Sequence, residues 1–424
     1  MEDANVISLM RRQALVLGLN PTGYGIVRSL VREGVGVTGA YEFSEEFGRL
    51  SRQCGKLDLR RSRDELEKVE RLIAWARDIG GVSPVIYANS DKHVQFVADH
   101  QDLLSRYFLY HWVSRETVAS IVDKSHMSHL CRQIGIVVPR THVTRPDGDI
   151  AATARSFVFP CLVKPLRSFH SGFPPGLKNM VVRTPDELVQ FYGSHPELCG
   201  STLWQEIIAG ADDSVLQCNV LVTTKGLVEA TVCIRKIHQY PPGFGSMSFG
   251  RTEKIEFIVK ESVRILEALE YRGLASLEFK HCPADGRYYF IEMNPRLPWY
   301  NSLFADAGVN LAYLAFRDLT EEVIPRAVPP EQHEGVYWLA FAEELRRFIE
   351  MRGQDTITLA GWLKMISRSR SFAWWCARDP RPFLRASLRM LSEAWWFLLQ
   401  WSRSISVLER SSRKEGRRRS RKGI

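Results

Sequence analysis

The sequence predicts a fold of the α/β class, divided over two to four domains. A strand, a glycine-containing turn, a helix and a second strand follow one another in residues 14–42, a pattern typical of a βαβ unit. Two apolar strands joined by a short loop follow at residues 274–294, and from about residue 330 the pattern is helical and rich in tryptophan. A chain of 424 residues exceeds what one core usually supports, which favours several domains.

The N-terminal unit indicates a Rossmann-like domain. Its helix is predicted over Tyr24–Arg32 and its second strand over Val35–Ala40. The turn "GLNPTGYG" resembles a dinucleotide-binding fingerprint, but Asn20 stands where the second glycine normally lets the pyrophosphate approach. We therefore expect a structural α/β domain rather than a bound dinucleotide.

The central region carries the next predicted elements. The stretch after residue 120 is predicted as a helix that ends at Gly135, and Pro139 then imposes an extended segment. "FPCLVKPL" is predicted as a short buried strand that carries Lys164 near its end. Three strands with turns at "AGAD" and "TKG" follow, and then a helix ended by Gly273.

The strand "YYFIEMN" combines apolar with acidic and amide side chains. Its alternation predicts one face of Tyr289, Ile291 and Met293 and an opposite face of Phe290, Glu292 and Asn294. The preceding loop "ADG" suits a three-residue turn, which sets a register with Glu278 opposite Glu292. The Cβ atoms of opposed residues lie ~5 Å apart, so two carboxylates there repel each other unless a cation or a proton intervenes.

With Asn294, the two glutamates form a set of hard oxygen ligands, which suits Mg²⁺ and is poor for zinc. Mg²⁺ held by carboxylates usually serves the phosphates of a nucleotide, and Lys124 and Lys164 are candidate phosphate ligands. The alternative interpretation is a pair of solvated glutamates on an exposed face of the sheet.

Composition and charge narrow the class of protein. The hydrophobic fraction of 45% is typical of globular proteins, no apolar run approaches the ~20 residues that span a bilayer, and the N-terminus lacks the apolar core of a signal peptide. Eight scattered cysteines favour reduced thiols and a cytoplasmic location. Residues 410–424 hold eight basic residues and one glutamate, so +7 of the net charge of +9 lies there and +2 remains elsewhere. We therefore expect no nucleic-acid partner.

The motif order "DK", "VKP", "QEII", "LEFK" and "IEMNPR" resembles the ATP-grasp superfamily, in its carboxylate–amine ligase branch (carbamoyl-phosphate synthetase large-subunit-like and D-aspartate-ligase-like proteins). The resemblance covers roughly residues 10 to 325. It implies an α+β ATP-grasp fold with a pre-ATP-grasp domain at 1–119 and two ATP-grasp lobes at 120–200 and 201–330, the second with the metal site. Beyond them, the sequence pattern predicts a helical Trp-rich extension at 331–408 and a basic, disordered tail at 409–424.

The resemblance also implies roles for individual residues. Glu278, Glu292 and Asn294 would bind Mg²⁺, with Mn²⁺ as a substitute, and Arg296 and Lys164 would serve catalysis. The expected ATP ligands are Lys124, Lys164, Ser168, Lys178, Gln205, Glu206, Ile207, Ile208 and Asp213. The expected substrate ligands are Arg235, Lys236, Arg251, Asn301 and Ser302. For the basic residues of the segment 234–253, a solvated surface is the alternative.

The resemblance implies an ATP-dependent ligase. It would join a small carboxylate to an amine through an acyl phosphate, and related enzymes suggest a homodimer. Pro174 and Pro175 interrupt the loop that would cover the phosphates, and prolines remove backbone donors. The alternative is therefore a catalytically inactive nucleotide-binding or scaffolding protein.

The C-terminal segment 372–409 is rich in tryptophan and arginine. One interpretation is a peripheral contact with the inner face of the membrane, because aromatic side chains prefer the interface and basic residues attract anionic lipid. The other is a terminal helix pair docked on the enzyme core. The sequence leaves both open.

Overall fold

The N-terminal part of the chain forms a parallel four-stranded sheet with helices on both faces. The computed structural model describes residues 13–166, 179–320, 330–351 and 357–392. The strand order is β3-β2-β1-β4. The elements are β1 (Gln13–Leu17), α1 (Pro21–Val31), β2 (Gly36–Tyr41), β3 (Gly55–Asp58), α2 (Glu65–Asp78), β4 (Val85–Ala88), α3 (Asp91–Asp99) and α4 (Gln101–Leu104). The predicted Rossmann-like arrangement is confirmed.

The turn between β1 and α1 explains the imperfect fingerprint. Gly18 has a φ of +77°, a conformation that favours glycine. The Asn20 side chain accepts a hydrogen bond from Gly23 N at 3.1 Å, and Pro21 occupies the first helical turn. Asn20 is therefore the N-cap of α1 and replaces the close-approach glycine of a dinucleotide site.

The helix predicted after residue 120 is interrupted. Asp123 is extended, with ψ at 107°, and its carboxylate accepts hydrogen bonds from Ser125 N and His126 N. It therefore ends one helix and caps the next, so Lys124 is the first residue of a new helix. The two helices are α5 (Arg115–Val122) and α6 (Lys124–Gln133).

A small antiparallel sheet forms the next layer, in the order β5-β8-β6-β7. Its last strand in sequence follows residue 200, so this sheet extends past the predicted lobe boundary at that residue. The elements are β5 (Thr141–Val143), α7 (Ile150–Arg155), β6 (Cys161–Pro165), β7 (Met180–Val182), α8 (Pro185–Ser194) and β8 (Thr202–Glu206).

The large sheet has seven strands in the order β13-β12-β9-β10-β11-β14-β15, of which β14 (Tyr337–Leu339) and β15 (Ser369–Phe372) come from the C-terminal region. Its first strands and helices are β9 (Val215–Val222), β10 (Val228–Tyr240), β11 (Ser246–Thr252), α9 (Glu256–Ala268), β12 (Gly273–His281), β13 (Tyr288–Asn294), α10 (Ser302–Asp306) and α11 (Leu311–Leu319). Helix α9 ends before the predicted Gly273, because the chain already turns at Glu270, whose φ is +49°. Apolar residues of α6 and α9 cover one face of this sheet.

The hairpin β12–β13 confirms that Glu278 lies opposite Glu292. Its loop length and strand pairing, however, differ from the predicted ones. Cys282 N donates to the carbonyl oxygen of Arg287, and Gly286 N donates to the carbonyl oxygen of Cys282. These bonds close a four-residue loop, not the predicted three-residue one. A bulge at Ile291 of β13, opposite the step from Glu278 to Phe279 of β12, then shifts the register by one residue.

The bulge also corrects the predicted faces of β13. Phe290 and Met293 lie together in the core under the sheet, while Ile291 packs with Tyr289 on the other side. The side chains of this strand are therefore not in strict alternation.

The C-terminal region was predicted to be helical, but it also adds two strands to the large sheet. Its elements are β14 (Tyr337–Leu339), α12 (Phe341–Glu350), α13 (Leu359–Ile366) and β15 (Ser369–Phe372), and residues 381–392 are helical. The Arg28 guanidinium on α1 donates to the carbonyl oxygens of Phe372, Ala373 and Trp375 and so fastens this region to the N-terminal domain. Within the described ranges, no helix has both the length and the apolar composition to cross a membrane.

Candidate active site

A cleft of about 630 Å³ lies where the small sheet, the large sheet and the carboxyl ends of β1 and β4 meet. The small sheet contributes Lys164, Gln205 and Glu206, with Ile207 and Ile208 directly after it. The large sheet contributes Gln217, Lys236, Gln239, Glu278, Lys280, Glu292 and Asn294. Helix α6 adds Lys124, and the N-terminal domain adds Asn20, Thr22, Asn89, Ser90 and Asp91.

The three predicted metal ligands lie together on the cleft side of the hairpin. Glu278 and Glu292 are register partners, and Asn294 Nδ2 donates to Glu292 Oε1 at 3.3 Å. Three oxygen-bearing side chains thus share one face, which is the donor chemistry of Mg²⁺. The described residues hold no group of three or more His, Cys, Asp and Glu side chains placed for a metal, so the amide is needed to complete the set.

Three lysines surround these carboxylates. Burial would raise the pKa of Glu292, but the positive charges of Lys124, Lys164 and Lys236 outweigh it and hold the pKa below its usual value. Burial lowers the pKa of Lys164 to about 8, and its ammonium donates to Gln205 Oε1 at 2.7 Å. Burial likewise lowers the pKa of Lys124. The cleft therefore concentrates positive charge beside an ionised carboxylate.

Lys236 was predicted to bind substrate, but in the structure it contacts one of the predicted metal ligands. Its ammonium donates to Glu278 Oε2 at 2.7 Å and is almost fully buried. Gln217, on the strand between them, donates to the same carboxylate oxygen. A polar row consequently crosses four strands of an otherwise apolar sheet.

Arg296 points into the cleft and is held in place from two sides. Its Nε donates to Asp91 Oδ1 at 2.7 Å, and one terminal nitrogen donates to Asn294 Oδ1 at 3.1 Å. Asp91 is the first residue of α3, so this ion pair joins the metal-binding strand to the N-terminal domain.

The end of β8 and the segment after it form one wall of the cleft. Glu206 bonds to Arg140 through both its amide and its carboxylate, which fixes the end of the strand. Gln205 and Ile208 are buried. Ile207 and Ile208 line the cleft.

The hairpin β10–β11 forms another wall of the cleft, and the C-terminal region packs against it. Asp212 accepts hydrogen bonds from the amide and side chain of Gln239 and from Gly243 N. Two residues after Lys236, past an irregularity in the strand, His238 meets the buried carboxylate of Glu344 on α12. Both contacts fix the stretch of β10 that reaches the cleft.

Three predicted ligands are not brought to the cleft. Arg235 and Arg251 both bind Glu253, and Arg235 also donates to the carbonyl of Asp213. Asp213 itself is exposed, and its neighbour Asp212 takes the inward position. Residues on a strand alternate, so Lys236 and Arg235 cannot share a face.

Asn301 and Ser302 are buried structural residues. Asn301 donates to the carbonyl oxygens of Thr22 and Pro298, and Ser302 accepts from the Trp338 indole at 3.2 Å. Ser168 and Lys178, together with Pro174 and Pro175, lie outside the described residues.

Several cleft residues were not predicted from the sequence, although some leave a signal in it. Gln217 is a polar residue within the wholly buried strand "VLQCNVLV". Lys280 follows Glu278 at the strand period. Asp91 follows the polar end of "PVIYANS", but nothing in that sequence predicts its pairing with Arg296.

Comparison with known proteins supports the motif assignment. Residues 249–319 match the family described as carbamoyl-phosphate synthase L chain, ATP binding domain. The D-aspartate ligase of Enterococcus faecium (strain Aus0004) is 22% identical over 244 residues, which cover 55% of this chain. The match spans only 58% of the length of that ligase.

Solved structures share the architecture at low sequence identity. The biotin carboxylase domain dimer of Hydrogenobacter thermophilus 2-oxoglutarate carboxylase, in complex with MgADP, ADP and bicarbonate, has a TM-score of 0.59. It is 14% identical, over 77% of this chain and 73% of the other. L-amino acid ligase from Bacillus licheniformis has a TM-score of 0.55 at 17% identity, over 76% and 75% of the two chains. The chain therefore has the ATP-grasp fold, and its resemblance to the ATP-grasp superfamily is confirmed.

Proposed function

We propose that the protein is a Mg-ATP-dependent carboxylate–amine ligase that activates its carboxylate substrate as an acyl phosphate. The observation that carries this proposal is the convergence of Lys124, Lys164 and Lys236 on the facing carboxylates Glu278 and Glu292. Two opposed carboxylates in a partly buried cleft call for cations, and the lysines supply positive charge for phosphates.

The donor set fits a hard divalent cation. Glu278, Glu292 and Asn294 would hold Mg²⁺, which would neutralise charge on the ATP phosphates; Mn²⁺ would be accepted because it also prefers oxygen ligands. Lys164 and Lys124 would bind phosphate oxygens, and Ile207 and Ile208 would contact the adenine.

Arg296 would orient the carboxylate substrate against the γ-phosphorus. Its planar guanidinium can hold a carboxylate or a phosphoryl group through two parallel hydrogen bonds, and Asp91 fixes its direction. The carboxylate oxygen displaces ADP, and the amine nitrogen then displaces phosphate to leave an amide. This chemistry requires positioning and charge neutralisation rather than a protein nucleophile.

Asn20, Thr22 and Ser90 mark the substrate end of the cleft. They follow β1 and β4, where the connections of the parallel sheet diverge to opposite sides, and ligands bind at such switch points. We place the small carboxylate substrate here, within reach of Arg296. This location takes the place of the one predicted around Arg235 and Arg251.

Hydroxylamine trapping tests the proposal. The protein would be incubated with Mg-ATP, hydroxylamine and a panel of amino acids and other small carboxylates, and hydroxamate and ADP would be measured. Carboxylate-dependent hydroxamate in the wild type, lost in Glu292→Ala and retained in Glu229→Ala, would establish the acyl phosphate. Glu229 is a matched control because it lies at the start of β10, outside the cleft.

The alternative is a nucleotide-binding protein without catalytic activity. It would bind Mg-ATP with an affinity that depends on Glu292 but give no hydroxamate with any carboxylate. Absence of Mg-ATP binding would contradict both functions. The homodimer stays a prediction, to be checked by light scattering on the full chain.

A further inference from the structure

The helix at residues 381–392 exposes a row of leucines. Leu384, Leu388 and Leu391 are 54%, 58% and 59% exposed. Their spacings of four and three residues place them on one side of the helix. Another side of the helix faces the protein, since Pro382 is buried and the Phe383 ring packs edge-on against Trp375 at 5.2 Å. The exposed leucines are therefore a property of one helix face and not scattered single residues.

Basic side chains border this leucine row. Arg381 and Arg385 are exposed, and each lies three residues before a leucine of the row. Arg389, on the same border, stacks over the Phe47 ring at 5.8 Å. Residues 381–392 contain no aspartate or glutamate. The outward half of the helix is thus apolar along one side and cationic along the other.

We propose that the helix 381–392 docks the protein on the surface of an anionic lipid membrane. The leucines would enter the boundary between headgroups and acyl chains, and the arginines would remain among the phosphates of the lipids. The sequence that follows the helix also combines apolar and basic residues that favour an anionic membrane surface. Residues 395–401 include three tryptophans, and residues 410–424 carry a net charge of +7.

A second copy of the chain suits this face less well. Self-association through the leucine rows would bring Arg381 and Arg385 of two molecules together, and the helix offers no acidic side chain to offset their repulsion. Three leucines also form a much smaller surface than the roughly 800 Å² per partner of a stable interface. An anionic lipid surface satisfies both the apolar and the basic side.

Vesicle co-sedimentation of the full chain tests the proposal. Vesicles of phosphatidylcholine would be compared with vesicles that contain about 30% phosphatidylglycerol. We expect binding to the anionic vesicles, a loss of about tenfold in affinity for Leu384→Gln/Leu388→Gln/Leu391→Gln, and weakening at high salt. The matched control is Leu66→Gln/Leu103→Gln/Leu227→Gln, which alters three exposed leucines elsewhere and should bind like the wild type.

The variant Arg381→Gln/Arg385→Gln should bind the anionic vesicles about tenfold more weakly than the wild type and leave only the preference that residues 410–424 supply. Circular dichroism and Mg-ATP binding would verify that each variant is folded. Wild-type binding by the triple leucine variant would assign any membrane contact to the residues after 392 and overturn the proposal. So would absence of vesicle binding, or a wild-type dimer that the leucine substitutions convert to monomer.

Discussion

Glu344 Oε1 lies 2.7 Å from His238 Nδ1, which joins α12 to the strand that carries Lys236. The Glu344 carboxylate is fully buried and also accepts hydrogen bonds from Ser248 at 2.6 Å and from Trp362 at 3.2 Å. A residue outside the predicted ATP-grasp lobes thereby fixes one wall of the cleft.

Replacement of Glu344 should destabilise the protein. In Glu344→Ala three buried donors lose their acceptor, and we expect the free energy of unfolding to fall by about 3 kcal/mol. Urea denaturation would measure it. Glu267→Ala, at an exposed position on α9, should change the value by less than about 0.5 kcal/mol. Equal effects of the two variants would contradict the role given to Glu344.

The carboxylate pair should make ATP binding depend on magnesium. Calorimetric titration with ATP, in Mg²⁺ and in EDTA, should show a gain in affinity with Mg²⁺ for the wild type. Glu278→Gln and Glu292→Gln should each lose about tenfold or more of that gain, because an anionic oxygen ligand is removed. Glu229→Gln should retain it. An unchanged Mg²⁺ effect in both cleft variants would place the metal elsewhere.

Lys164 should give ATP binding a dependence on pH. Its pKa of about 8 means that the ammonium is charged below this value and becomes neutral as the pH rises through it. Affinity for Mg-ATP should therefore fall between about pH 7 and about pH 9, and Lys164→Arg should flatten the profile because arginine stays charged.

Bound phosphate would raise the pKa of Lys164, so binding near pH 8 should take up protons. Titrations in buffers of different ionisation enthalpy detect this uptake. A wild-type profile that is flat with pH would show that Lys164 does not contact the nucleotide.

Asp91 should act through Arg296. Arg296→Ala should lower turnover by about 10²-fold, since a donor aimed at developing charge is lost. Asp91→Asn should lower turnover less and leave the affinity for Mg-ATP near the wild-type value, because only the fixation of the guanidinium is weakened. Asp99→Asn, at the exposed end of the same helix, is the control. Equal turnover of Asp91→Asn and the wild type would contradict this coupling.

The sequence predicted those features that depend on local pattern. The βαβ unit, the strand bearing Lys164 and the facing of Glu278 with Glu292 follow from periodicity, turn residues and motif order. The predicted loop length was wrong, although the predicted pairing of Glu278 with Glu292 was right. The longer, four-residue loop shifts the strand register by one residue, and the bulge shifts it back. A bulge depends on neighbouring strands, which no short stretch of sequence encodes.

Features that depend on distant partners were not predicted. Nothing near Asp91 or Glu344 in sequence reveals Arg296 or His238, which are more than one hundred residues away. Arg235 and Lys236 are adjacent in sequence and alike in charge, yet the sheet gives them opposite faces and different partners. Strands β14 and β15 are three and four residues long and form because β11 offers a free edge.

That free edge decides where the chain can be shortened. Cleavage at the predicted domain boundary near residue 330 would leave the backbone of β11 from Phe249 to Arg251 without its neighbour Tyr337–Leu339. Exposed strand edges pair with other chains, so such a fragment should precipitate during expression. It would also lose the carbonyl groups that hold Arg28. For recombinant work, a soluble minimal form should extend past Asp379, whose carboxylate and carbonyl still bind Arg52 and Tyr24 of the N-terminal domain.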